Sequence, residues 1–221
     1  MDPTLLFDID GTLTETDHLH FEAFRQVLEP HGIELDWDTY RTRIIGRVNP
    51  VVAAEFLPHV PREEHDRIMD SKEAAYRERA TTLEHAPGLM ALLDWAHGRG
   101  IACGVVTNAP RANAEHVLER LNLATRFDVL VIGPELTDAK PHPLPYLRGL
   151  EQLRGDPARS VGFEDSPSGA RSAVAAGLGV VGLLTSVEPE ALTSVGVALT
   201  ARSFADPAVL DYVKRRTGCG E

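Results

Sequence analysis

Asp8 and Asp10 stand two residues apart at the end of the apolar run Leu5-Leu6-Phe7, with Gly11-Thr12-Leu13 following. In extended chain, residues two apart leave the same face, so these carboxylates project together. Glu164 and Asp165 close another apolar run, Thr107 and Asn108 close a third, and Lys140-Pro141 supplies the one conspicuous cation between the later runs. Four carboxylates brought to one place would repel, and some would be driven to protonate. A hard divalent cation with oxygen ligands removes that conflict; Mg2+ commonly takes one or two carboxylates together with a substrate phosphate. Gly11 permits a tight turn where a ligand can approach the backbone. Taken by themselves, Asp8 and Asp10 also fit a turn and a helix cap. The four-part set in this order does not.

The elements that must position these groups are short. Residues 5–7, 101–106, 129–132, 160–163 and 180–184 read as buried strands. Between them lie helical repeats such as Leu89, Leu92, Leu93 and Ala96, or Val117, Leu118 and Leu121. This alternation predicts an α/β fold with a doubly wound parallel sheet, Rossmann-like, in which ligands bind beyond the carboxyl ends of the strands. One stretch interrupts it. From residue 15 to about 84 the pattern is helical throughout, with Asp17 as an expected N-cap and Gly32 near the first helix end. That is too long for a connection, so it predicts an α-helical cap domain over 15–85, inserted into a core of 1–14 and 86–221. Two crossing points between two bodies predict a hinge that opens and closes.

Composition narrows the partners. In 221 residues, 43% are hydrophobic and 25% charged, the make-up of a globular domain rather than a disordered, collagenous or coiled-coil chain. With 33 acidic against 22 basic residues the net charge is −11, which argues against nucleic acid, whose phosphates need clustered Lys and Arg. No apolar run reaches the length of a membrane span. The two cysteines, Cys103 in an apolar run and Cys219 in a polar tail, make neither a disulfide framework nor a metal cluster. Met1-Asp2-Pro3-Thr4 lacks the basic and long apolar regions of a signal peptide, so the cytoplasm is the expected location. A monomer is compatible with all of this.

The motifs taken together resemble those of the haloacid dehalogenase (HAD) superfamily of phosphotransferases. Asp8-Ile9-Asp10-Gly11-Thr12-Leu13 matches its first motif, Thr107-Asn108 its second, Lys140-Pro141 its third and Gly162-Phe163-Glu164-Asp165-Ser166 its fourth. The helical insert resembles the cap of the branch containing β-phosphoglucomutase-like and phosphoglycolate-phosphatase-like members. The stretches around Asn108, Asn113 and Lys140 look nearest to sugar-phosphate phosphatases of that branch. The resemblance implies that Asp8 accepts the phosphoryl group as an aspartyl-phosphate and that Asp10 is the general acid and then base. It implies Mg2+ held by Asp8, the backbone carbonyl of Asp10, and Asp165, with Glu164 assisting directly or through water. It gives Thr107, Asn108 and Lys140 the phosphoryl oxygens. Asp10 argues against dehalogenation, because the dehalogenases lack a second Asp and use no metal.

Other residues carry weaker signals. His18 and His20 are two apart, but on a helix they face opposite ways, one outward and one towards the cleft. By the resemblance His20 lies beside the site and Thr16 at the hinge. Arg47, within Gly46-Arg47-Val48-Asn49, is a candidate contact for a second anionic group of the substrate. Mutases typically have Gly-x-Ser-Arg there, and this chain departs from it. Lys72 and Glu73 read as an exposed helical face. The expected function is a Mg2+-dependent phosphatase of small phosphorylated metabolites, sugar or polyol phosphates. A sugar-phosphate mutase is the runner-up, and a phospho-receiver module the remote alternative, disfavoured by chain length and the insert.

Overall fold

Among the described residues, 1–220 of a computed structural model, six strands form one parallel sheet. They are β1 Thr4–Phe7, β2 Ala102–Thr107, β3 Val129–Ile132, β4 Val161–Glu164, β5 Gly179–Leu183 and β6 Leu199–Ala201. Their spatial order is β3-β2-β1-β4-β5-β6. The α/β doubly wound architecture is thus the expected one, with β6 added. That strand is three residues long and only partly buried at the sheet edge, so its sequence shows no apolar run.

Successive residues of a strand face opposite sides of the sheet, and here both sides are covered. Leu5, Phe7, Val105 and Phe163 enter one cluster with Leu89 and Leu93 of α5 (Leu89–His97), Val117 and Val209. Phe7 and Phe163 stack at 4.6 Å. Leu6, Val106 and Val180 enter the other, against Tyr146, Leu150, Ala170 and Ala173. The covering helices are α6 Arg111–Arg120, α7 Leu144–Leu153, α8 Pro167–Ala175, α9 Pro189–Thr193 and α10 Pro207–Thr217. Each fully buried Leu or Phe contributes roughly 1.5–3 kcal/mol of apolar burial, which fixes the strand register that the site depends on.

Between β1 and α5 run α1 Asp17–Leu28, α2 Trp37–Arg43, α3 Asn49–Phe56 and α4 Arg62–Arg79. Phe24, Leu28, Tyr40, Ile44, Val52 and Leu57 make a hydrophobic cluster of their own. Ala23 of α1 and Tyr76 of α4 join the core cluster instead, seating the insert on the sheet's carboxyl rim. Asp17 does not cap α1, contrary to expectation. Thr16 holds the cap position without a side-chain cap bond; its hydroxyl donates to Asp10 instead. Asp17 is the first helical residue and accepts from the Tyr40 hydroxyl at 3.1 Å.

Cys103 is wholly buried on β2, and burial, helped by the Asp128 carboxylate, pushes its thiol up to about 12. Cys219 is half-buried. One thiol is therefore expected to react rapidly with a disulfide reagent in the native protein and the second only after unfolding. Two rapid equivalents would contradict the burial of β2.

Candidate active site

The sheet reverses direction of growth between β1 and β4, and ligands of such sheets bind at that switch point. β1 pairs in parallel with both β2 and β4, so Asp8, Thr107 and Glu164 end neighbouring strands at one rim. Gly11 follows with φ +69°, and a Cβ on it would stand 2.2 Å from Asp165 Oδ2. Both facts require glycine there.

Lys140 is buried at the centre. Its Nζ donates to Asp8 Oδ1 at 2.7 Å, to Glu164 Oε1 at 2.6 Å and to the Val106 carbonyl at 2.7 Å. The Tyr146 hydroxyl donates to the same Glu164 oxygen at 2.5 Å. Asp165 accepts from the Ser186 hydroxyl. One oxygen from each of Asp8, Glu164 and Asp165 lies within 4.8 Å of the others. Burial raises Asp8 to about 7 against the pull of Lys140, with Glu164 and Asp10 adding to the rise. Burial and the neighbouring Asp8, Asp17 and Glu164 carboxylates push Asp165 well above the usual range. Burial disfavours the Lys140 cation, but Asp8 and Glu164 outweigh it and hold its pKa up. Glu164 Oε2 is buried with no hydrogen-bond partner among the described residues. An oxygen-only donor set, crowded carboxylates and an orphaned oxygen are what a hard divalent cation fits. The carboxylate of Asp10 is not in this set.

Asp10 is turned towards the insert. Its Oδ1 accepts from the Thr16 hydroxyl at 2.6 Å and meets His20 Nε2 at 3.2 Å. His20 Nδ1 lies 3.0 Å from Lys72 Nζ. Because an ammonium can only donate, Nδ1 accepts and Nε2 carries the proton towards Asp10. The imidazole stacks on Tyr76, centroids 3.9 Å apart. Burial would raise Asp10, but His20, Thr16 and Lys72 together bring it below the usual carboxylate range. His18 is exposed.

The sites from the second and third motifs lock together. Asn108 Oδ1 accepts from the Lys140 backbone N–H at 3.1 Å, and its Nδ2 donates to the Lys140 carbonyl at 3.1 Å and the Gly46 carbonyl at 3.2 Å. The last bond joins core to insert. Gly46, φ +73°, packs so closely on Ser166 that a Cβ would stand 2.9 Å from its Oγ. Thr107 is buried, its Oγ1 accepting from Ala109 N–H at 3.0 Å.

Asp8, Asp10, Thr107, Asn108, Lys140 and Asp165 line one cleft between core and insert, together with His20 and Arg47; its volume is about 680 Å3 including its open mouth. Glu164 lies just beneath it and Thr16 behind Asp10. One expectation is corrected. Lys72 and Glu73 are not an exposed face: both are nearly fully buried, paired at 3.0 Å, and line the cleft. They read as a solvated pair because the groups that bury them, His20, Asn49 and Asn113, are distant in sequence. Arg47 reaches the cleft with its guanidinium already engaged by Glu55 and the Arg43 carbonyl. Tyr146, Ser186 and Asp17 were not legible as site residues; no motif marks them, and tertiary packing alone brings them in.

Fold and cleft together define a phosphoryl-transfer enzyme. The chain belongs to the haloacid dehalogenase-like hydrolase family, whose model matches residues 3–177, and it is a phosphoric monoester hydrolase. It is 35% identical over 180 residues to a phosphorylated carbohydrates phosphatase of Thermotoga maritima, covering 79% of this chain and 81% of that protein. It is 32% identical over 199 residues to validoxylamine A 7′-phosphate phosphatase of Streptomyces hygroscopicus subsp. limoneus, covering 88% and 91%. The crystal structure of β-phosphoglucomutase from Clostridium difficile shares the fold with a TM-score of 0.86 at 23% identity, over 100% of this chain and 99% of that one.

Proposed function

We propose that the protein is a Mg2+-dependent phosphatase of small sugar or polyol phosphates that works through an aspartyl-phosphate on Asp8, with residues 15–85 acting as a cap. The observation that carries it is the buried triangle of Asp8, Glu164 and Asp165, with Lys140 bound to the first two, at the floor of the cleft between core and insert. Mg2+ would be held by Asp8, the Asp10 carbonyl and Asp165, with Glu164 directly or through water, and would supply the counter-charge a phosphate dianion needs. Lys140 binds Asp8 Oδ1, which leaves Oδ2 to attack phosphorus. The new P–O bond forms as the ester P–O bond breaks, and Asp10, ionised at rest, takes up a proton from solvent as substrate binds and gives it to the departing alkoxide. Asp10, then ionised and steadied by Thr16 and His20, takes a proton from the water that opens the aspartyl-phosphate. The Thr107 hydroxyl donates to the phosphoryl oxygens and the Lys140 ammonium supplies its charge while charge develops on them, with Asn108 fixing the Lys140 backbone in place.

Among the described residues no helix is long and apolar enough to cross a membrane. The two free cysteines, Cys103 and Cys219, fit a reducing compartment, and we take the cytoplasm as the protein's location.

Phosphatase and mutase differ in the fate of the aspartyl-phosphate. A mutase must clamp a second phosphate while its bisphosphate intermediate reorients, and Arg47, the cation at that loop, is bound to Glu55. With glucose 1-phosphate and Mg2+, phosphate release is expected without any requirement for glucose 1,6-bisphosphate. Conversion to the 6-phosphate that outruns phosphate release many-fold, and only with the bisphosphate, would establish the mutase instead.

A further inference from the structure

Glu73 projects from α4 into the cleft on the side of the insert. It is 5% exposed, and three donors hold it: Asn49 Nδ2 at 2.7 Å and Lys72 Nζ at 3.0 Å on Oε1, Asn113 Nδ2 at 2.6 Å on Oε2. Two of these donors come from the insert and one from α6 of the core. A carboxylate offers about four lone-pair sites, so one is left for a donor in the cleft. A substrate hydroxyl supplies such a donor; a phosphate dianion or carboxylate does not.

The charges point the same way. Among the described residues three cations line the cleft: Lys140 has Asp8 and Glu164, Lys72 has Glu73, and Arg47 shares Glu55 with Arg43. Asp17 adds a further carboxylate on the insert side. A second anionic group on the substrate placed beside Glu73 would meet that carboxylate, with the neighbouring Lys72 already paired to it. That carboxylate stays ionised: burial opposes it, but Lys72, His20 and Asn49 hold it below the usual range.

Resting on the phosphatase reading, we propose that Glu73, set by Asn49, Asn113 and Lys72, is a specificity-determining residue that accepts a hydroxyl from the uncharged body of a monophosphorylated polyol or sugar and rejects substrates with a second anionic group. Pairs differing in one group test it: glucitol 6-phosphate against 6-phosphogluconate, and glycerol 3-phosphate against 3-phosphoglycerate, where CH2OH replaces carboxylate. The wild type is expected to favour the neutral member by roughly 10²-fold in kcat/KM, the scale on which unpaired or like-charged groups are rejected. Glu73→Gln should narrow the ratio to within about tenfold, chiefly by lowering KM for the acid. Glu73 also touches Lys72, which reaches Asp10 through His20, so a general change in rate is expected; the ratio cancels it. Should Glu73→Gln not fold, Asn49→Lys, which sets a cation beside the carboxylate, should collapse the same ratio. Equal turnover of acid and alcohol by the wild type, or a ratio unmoved by the variant, overturns the assignment. Failure on both alcohols while p-nitrophenyl phosphate is hydrolysed overturns it too and leaves the phosphatase reading standing. No hydrolysis of any ester with Mg2+ would instead sink that reading.

Discussion

Asp8→Asn is expected to lower phosphate release by at least about 10³-fold, as when a covalent step is lost, while the protein stays folded. The amide is nearly isosteric, and its oxygen can go on accepting from Lys140 Nζ, which stands 2.7 Å from Asp8 Oδ1. It has no oxygen anion to attack phosphorus. Stability should not suffer, and the sign can be worked out. Asp8 has an ordinary value of 3.8 and stands at about 7 in the folded protein, raised first by burial. An acid whose folded value is raised is disfavoured as an anion in the native state, so it destabilises increasingly as pH climbs from about 4 to 7. Removing that anion relieves the burden. In chelator at pH 8 the variant should therefore melt at or above the wild-type temperature. Phosphate release under saturating substrate and a thermal melt check both halves. Near-native turnover would mean that Asp8 is not the nucleophile.

The residues around this aspartate were legible because they obey a local rule. Each buried strand is a run of apolar residues, and the polar group that ends the run must stand at the sheet's rim, whatever the distant chain does. Asp8, Thr107 and Glu164 are all of this kind. Lys140 ends no strand, yet its place between β3 and β4 put it at the same rim. The helical stretch from 15 to 84 was equally clear, since the described residues there show only helices, with Phe24, Leu28, Ile44 and Val52 turned inward.

What escaped the sequence depends on partners far along the chain. Lys72 and Glu73 have the local signature of a solvated helix face, and nothing within a few turns contradicts it. Their burial is set by His20, 52 residues from Lys72, and by Asn49 and Asn113, 24 and 40 residues from Glu73. Arg47 stands at the cleft as a cation, but its bond to Glu55, only eight residues on, where the loop folds back on α3, could not be read. Pairing of this sort leaves no period in the sequence. The rim chemistry follows a local rule and could be read; pairs of this kind could not.

Removal of divalent cations is expected to abolish turnover, and Mg2+ to restore it. Lys140 is a single positive charge set against Asp8 and Glu164, while Asp165 beside them has a neutral Ser186 hydroxyl as its hydrogen-bond partner. Three carboxylates and one ammonium leave an excess of negative charge before any substrate arrives, and a phosphate dianion would add two more. Like charges at such distances in a buried site cannot all persist. That crowding is already visible in the raised Asp8 and Asp165. A divalent ion among these oxygens reverses the balance and lets the dianion approach Asp8. Ca2+ should bind without supporting full turnover, since it prefers more ligands at longer distances than Mg2+. The effect should also appear without substrate. Ion bound to the native state alone stabilises it by RT ln(1 + [L]/Kd), about 2.7 kcal/mol at one hundred times Kd. Asp165→Asn should lose most of that gain. Dialysis against chelator, a titration of Mg2+ back into the assay, and melts with and without the ion measure each part. Full activity in excess chelator, or a melting temperature indifferent to Mg2+, would show that the carboxylate triangle serves some purpose other than holding a metal.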